Sequence, residues 1–342
     1  MSQSLNILYF GPISGTCLDR ANAYRRLGHT VHHIDPRTLL PSTVWVDRIM
    51  WRAGGHWFAP WVLAGLRQSL QGRHFDLCHV DSGEWFTASA VELLRAHAPI
   101  VINYNVDDPT GPRDRQRFAA YWRGAKAYDL LAVVREDNLP ELAALGARHC
   151  VRVHRSADEV THAPRALTPE DHARWDCDVL FLGTWMPERG PFLLALIRLG
   201  VPLTIQGSNW QKAPEWPELR THWRGDAIGG DDYAKAIQCA RVNLGLLSKG
   251  NRDLHTTRSL EIPSLGALFC AERTVEHSAM YEDGLEAVLW SDASECAAWC
   301  HTLLADEPRR HAIAQNGHAR YLRDGNQNQV VLQSLLREVG LA

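Results

Sequence analysis

No stretch of the sequence holds the ~18 consecutive apolar residues that a membrane-spanning helix needs, which argues against a transmembrane chain. Met1–Asn6 lacks the basic region of a signal peptide, and the apolar run behind it, Ile7–Phe10, is too short for a signal core. The expectation is a soluble, cytoplasmic protein. There is no C-x-x-C among the 8 cysteines, and they are scattered rather than set in a dense framework, as a reducing compartment would have it. Cys296 and Cys300 stand four apart on a predicted helix and read as buried small hydrophobes rather than metal ligands. No H-E-x-x-H occurs among the 17 histidines, so no metal site is assigned. Excess charge of one sign is also missing. Lys+Arg at 36 against Asp+Glu at 39 leaves a net charge of −3, which argues against a surface built mainly to hold nucleic acid or anionic lipid. Low-complexity segments are absent.

What is present is 342 residues, 45% hydrophobic and 22% charged, enough at about 150 residues per domain for two cores. The main pattern is a repeat. Asn6–Phe10 is an apolar run ending at Gly11, followed by a helical stretch (Leu18–Leu27), Gly28 and a second strand (Thr30–Asp35). Asp178–Leu182 ends likewise at Gly183, followed by a helix (Pro191–Leu199), Gly200 and a strand (Val201–Gln206). Gly28 stands 17 positions after Gly11, and Gly200 stands 17 positions after Gly183. Each set reads as strand, turn, helix, glycine stop and strand, the opening βαβ of a parallel sheet.

Further strands are predicted at Phe75–Val80, Ile100–Val106, Leu130–Val134 and Cys150–Val153, with helices at Trp85–His97 and Arg113–Lys126 between them. The second half offers Val242–Leu247, Ala267–Ala271 and Ala287–Trp290. Near-continuous apolar runs of this kind suit strands covered on both faces. Thr168-Pro169 starts a helix, Asp292–Glu295 forms a capping box, Pro308 opens a further helix and Gly317 reads as its stop. The domains expected are 1–165, 166–325 and a terminal helix in 326–342. The fold class is α/β, two Rossmann-like doubly wound domains facing across a cleft.

In such domains ligands sit beyond the carboxyl ends of the strands. Gly11–Gly15 lacks both G-x-G-x-x-G and G-x-x-x-x-G-K-[ST], so Asp35, although 24 residues on, is only weakly placed for a nicotinamide ribose. Asn103–Pro109 sets Asp107 and Asp108 at a strand end, as a base or hydroxyl ligand, or as plain turn chemistry. Gly183–Gly190 carries Arg189 at a helix start, suited to an anion. Leu247–Gly266 is densest, with Lys249, Arg252 and His255. A short helix follows, capped by Thr256 or Thr257, with Arg258 in its first turn and Glu261 one turn on. Cations beside a helix start fit a diphosphate, and a carboxylate can accept from the paired hydroxyls of a ribose. Pro263 requires that helix to be short. The only D-x-D, Asp176-Cys-Asp178, precedes its strand and is read as structural.

Thr257–Gly266, Glu272–His277, Asp283–Leu289 and Arg320–Arg323, with Phe181–Arg189 and Asn105–Pro109, resemble motifs of the CgeB-like (spore maturation type) glycosyltransferases, relatives of the group 1 glycosyl transferases. The resemblance implies a GT-B fold with a nucleotide sugar held mostly by the C-terminal half and a last helix, Gln329–Val339, returning to the first domain. It implies that Glu261 binds the donor ribose, and that Arg189, with Lys249 and Arg258 beside it, faces the pyrophosphate. Gly183 and Thr256–Thr257 belong to the same donor site. Asp107 falls near the transferred sugar. The acid eight residues before Glu261 is Asp253, where group 1 enzymes carry glutamate.

The function expected is therefore sugar transfer from a nucleoside diphosphate sugar to the hydroxyl of a glycan, glycolipid or protein acceptor. The expected site holds no metal and no cofactor. Arg189, Lys249, Arg258 and a helix N-terminus stabilise the leaving diphosphate, with Asp107 or Asp108 as base if the reaction inverts. The alternatives are a nucleotide-sugar epimerase on the same plan, an NAD-dependent oxidoreductase, or a non-catalytic carbohydrate-binding protein, the last encouraged by the 13 tryptophans. Of these, Trp51, Trp57 and Trp61 lie in an apolar stretch read as core or as an apolar lid.

Overall fold

The computed structural model describes residues 4–341. Its chain divides into two compact units. One runs to Arg155 and adds Gly250–Arg252 and the segment from Asn328, and the other comprises Ser156–Lys249 and Asp253–Gln327. In the first unit the strands are β1 (Asn6–Phe10), β2 (Thr30–Ile34), β3 (Leu77–Asp81), β4 (Ile100–Asn105), β5 (Leu130–Val133) and β6 (Cys150–Arg152). They form one parallel sheet in the order β2-β1-β3-β4-β5-β6. The second unit contains β7 (Cys177–Leu182), β8 (Leu203–Gln206), β9 (Trp223–Gly225), β10 (Ala240–Gly245), β11 (Phe269–Glu272) and β12 (Val288–Trp290). These give a second parallel sheet ordered β12-β11-β10-β7-β8-β9.

Successive strand residues point to opposite faces, so a run without polar gaps must find cover on both sides. Leu8 and Phe10 of β1 join one buried cluster, whereas Ile7 and Tyr9 join another on the opposite face. In β7, Val179 and Phe181 are likewise separated from Leu180 and Leu182. The helix Asn328–Glu338 seats Leu332, Leu335 and Leu336 in the cluster of Ile7 and Tyr9, so the last helix of the chain completes the first unit. Gly28 and Gly200 have φ of +89° and +80°, the left-handed helix stop that glycine adopts without a Cβ penalty.

Four features differ from the sequence reading. The first unit ends at Arg155 rather than 165. Beyond it the chain is tied into the second unit, where Ser264 Oγ donates to His162 O and Arg165 N to Gln238 Oε1. The edge strand β9 was not expected, since its three residues, Trp-Arg-Gly, make no apolar run. Gly317 is no stop, because the helix Glu307–Asp324 passes through it and ends at Gly325. A Cβ at Gly317 would lie 2.3 Å from Glu286 O, so close backbone approach explains the glycine. Finally, Trp51, Trp57 and Trp61 are not core residues. They are 53%, 63% and 51% exposed, on and between the helices Val44–Ala53 and Ala59–Leu70, which bury Val46, Met50, Val62 and Leu66 instead.

Candidate functional site

Each sheet reverses strand order once, between β1 and β3 in the first unit and between β7 and β10 in the second. A doubly wound sheet opens a crevice there, at the carboxyl ends of its strands. In the first unit the crevice is a cavity of about 360 Å³, within the range of small-ligand sites. Pro12 follows β1, and Ser82 and Gly83 follow β3 at its mouth. Beneath it Arg20 and Asp81, 3% and 4% exposed, form an ion pair at 2.7 Å, and Tyr9 Oη donates to the same carboxylate oxygen. Burial, then the Asp81 charge, raises the Tyr9 pKa well above its ordinary value, so the phenol remains a donor. The Arg20 guanidinium also lies 4.9 Å from the ring centre of Tyr104.

Next to this pair, His79 of β3 is fully buried, with Nδ1 3.0 Å from Tyr24 Oη. Burial drives its pKa down to about 4. A histidine depressed in the fold stays neutral while its unfolded counterpart takes up a proton below about 6.5. Stability is therefore expected to fall as pH drops from about 6.5 towards 4, by up to about 3 kcal/mol. Urea unfolding across that range checks the slope, and His79→Gln should flatten it.

Asp107 and Asp108, adjacent after β4, have different surroundings. Asp107 is partly exposed, with Oδ2 3.1 Å from Arg117 Nη1, and it lines the cavity. Asp108 is 4% exposed. Both its oxygens accept from Arg252, at 2.7 Å each, and Oδ1 also accepts from Asn138 Nδ2. Arg252 reaches Glu141 as well, and that hydrogen bond, foremost, holds the Glu141 carboxyl below its usual range. With its carboxylate committed in this way, Asp108 is a structural ion-pair partner rather than the base that the sequence reading allowed, whereas Asp107 is accessible.

In the second unit, Gly183 follows β7, and Leu246 and Leu247 follow β10, on either side of the switch point. Arg189 spans them. Its guanidinium donates to Thr184 O at 2.8 Å and to Leu246 O at 3.1 Å, and the residue is 9% exposed. Lys249 is exposed, and its ammonium pairs with Glu272 at the end of β11, while its amide donates to Glu188 Oε1. Asp253 is 8% exposed, and its amide donates to Ser248 O at 3.4 Å.

The helix Arg258–Ser264 is as short as Pro263 demands. Its first turn is satisfied internally. Thr256 N–H donates to Ser259 Oγ, Arg258 N–H to Thr256 Oγ1, and Glu261 N–H to Thr257 O. The Thr256 and Arg258 amides are thus engaged by side chains of the same turn, and the helix start also contributes the Arg258 side chain. Glu261, 3% exposed, accepts from Tyr233 Oη and from Arg258 Nη1 at 3.3 Å, with His162 Nε2 3.4 Å from its other oxygen. The Arg258 guanidinium lies 5.2 Å from the ring centre of Tyr233. Burial opposes its charge, but Tyr233 and Glu261 raise its pKa overall, so it is a fixed cation. Tyr233 and His162 escaped the sequence reading because neither lies near Glu261 along the chain.

Asp176 and Asp178 lie at the start of β7, paired with His172 and Arg241, away from the switch point. Cys270 joins Cys296 and Cys300 in a buried cluster with all three sulfurs within 4.8 Å of one another. Its surroundings are the apolar core of the second unit, including Val288, Leu303 and Ile313, which suits thiols acting as small hydrophobes. Among the described residues, no helix is long and apolar enough to cross a membrane.

Residues 189–337 match the model of the family described as Glycosyl transferase-like. No curated protein matches the chain. Sucrose-phosphate synthase from Thermosynechococcus elongatus superposes with a TM-score of 0.70 at 13% identity, over 98% of this chain and 99% of that one. HepE from Anabaena, solved in complex with UDP and glucose, gives 0.66 at 13% identity over 99% of this chain and all of its own. The α,α-trehalose 6-phosphate synthase of Burkholderia multivorans gives 0.64 at 11%, over 98% and 99%. At such identities these likenesses establish the fold, which is GT-B with two Rossmann-like sheets. The family match, over 189–337, spans much of the second unit and the last helix.

Proposed function

We propose that the protein transfers a sugar from a nucleoside diphosphate sugar to an acceptor hydroxyl, with the donor on the second unit and the acceptor in the first-unit cavity. The observation that carries this reading is the cationic switch point of the second unit. Arg189 follows β7, Lys249 follows β10 and Arg258 opens the next helix, all three within the segment 189–337 that matches the glycosyltransferase family. As the glycosidic bond breaks, negative charge grows on the departing diphosphate. Cations already fixed in place lower that barrier without reorganising.

Arg258 and Lys249 would supply this charge. Arg189 fixes the loops around Gly183 and Leu247 that frame them. Glu261 acts chiefly by orienting Arg258, and its remaining lone pairs are those that a ribose diol would use. Asp107 is the candidate base, taking the acceptor proton as the new C–O bond forms. In this reading the diphosphate needs no divalent ion or cofactor. The motif Thr257–Gly266 supports the CgeB-like branch, and the free cysteines suit action in the cytoplasm.

A thermal-shift panel of UDP-, GDP-, TDP- and CMP-sugars tests the reading. A donor at 100 times its Kd should stabilise the fold by about 2.7 kcal/mol. One nucleotide class raising the transition, with release of its nucleotide on adding acceptors, is expected. No shift with any of them would refute the assignment.

A further inference from the structure

We infer that the first-unit cavity selects an unphosphorylated, hydroxyl-rich saccharide as acceptor, an inference that rests on the transferase reading. The charged groups at its wall decide this. Five carboxylates (Asp35, Asp47, Asp81, Glu84 and Asp107) stand against three guanidiniums (Arg20, Arg37 and Arg117). Every one of the three guanidiniums already meets a carboxylate of the same wall. Arg20 pairs with Asp81 at 2.7 Å, Arg37 with Asp47 at 3.1 Å, and Arg117 with Glu84 at 2.8 Å and Asp107 at 3.1 Å.

A phosphate entering such a cavity would have to break one of these pairs, and it would face the surplus carboxylates at short range. A neutral sugar meets the opposite situation. Carboxylates are acceptors only, and hydroxyls are donors that satisfy them without adding charge. Apolar surface for the C–H face of a pyranose is also present. Met50, Trp85 and Phe86 back the cavity but are only 4%, 6% and 0% exposed, so the ring free to stack is Trp51, 53% exposed, with its centre 4.4 Å from the Arg117 guanidinium. A sugar would stack on Trp51 while its hydroxyls meet the paired carboxylates.

Binding measured on the full chain without donor separates this inference from the transferase reading, which the nucleotide-sugar panel tests by itself. Saturation-transfer NMR with neutral hexoses and the 6-phosphate of each is the experiment. The neutral sugar is expected to bind at least about tenfold more tightly than its phosphate. Asp47→Asn, which removes one charge and releases Arg37 at an exposed position, should narrow that gap. The inference is overturned if the phosphorylated form binds equally or better, if neither form binds while donor binding is intact, or if Asp47→Asn leaves the ratio unchanged.

Discussion

Asp81→Ala is expected to cost the first unit about 3–5 kcal/mol, because it leaves Arg20 charged, buried and without its carboxylate. Tyr9, fully buried, loses its carboxylate acceptor in the same step. The cost reflects a stranded charge rather than the intrinsic strength of the pair. Accordingly, the double replacement Arg20→Met/Asp81→Leu should recover a large part of it, as buried ion pairs replaced by apolar groups often do. Urea unfolding of both variants, followed by near-ultraviolet circular dichroism, is the measurement. A loss below about 1 kcal/mol for Asp81→Ala would mean that water reaches Arg20. Because this network forms the floor of the cavity, the same substitution should also loosen saccharide binding there.

The second large effect concerns chemistry. Arg258→Ala should lower nucleotide-sugar turnover by about 10²–10³, the range seen when one preorganised charge-stabilising donor is removed. The loss should fall on kcat more than on KM, since the charge it meets develops as the bond breaks. Its side chain is 32% exposed, and Glu261 keeps Tyr233 and His162 as partners, so the unfolding midpoint should move less than in Asp81→Ala. Glu261→Gln keeps the shape and the hydrogen-bonding reach to Tyr233 but removes the charge that anchors Arg258. A smaller fall in kcat is expected there. Unchanged turnover in both variants would remove the second-unit switch point from the reaction.

Much of the architecture was legible because it is written in local periodicity. Apolar runs ending in glycine located β1 and β7, and the glycine stops at 28 and 200 do take the left-handed backbone. Thr168 and Asp292 cap their helices as their side chains dictate, through Asp171 N–H and Glu295 N–H. Features without a local signature were missed. β9 is an edge strand defined by its neighbour and not by its own three residues. The helices at 44–53 and 59–70 are apolar on more than one face, so composition alone left core and lid both open for tryptophans that prove exposed.

Of the site, the charged loops at strand ends were readable, since strand ends and glycine turns fix where a ligand can approach a parallel sheet. The state of each charge was not. Asp107 and Asp108 are neighbours in sequence and the same residue type, yet only Asp108 is claimed by Arg252, a residue 144 positions away. Arg189, expected to face an anion, also donates to carbonyls of two loops, which spacing along the chain did not show. The sequence alone thus determined the two α/β sheets, their opening units and the loops that carry the charge, because these follow from period, turn chemistry and glycine conformation. Tertiary structure alone decided which cations remain available, which acid is buried and what charge the cavity holds, because ionic pairing depends on through-space distances of a few ångströms, which spacing along the chain does not encode.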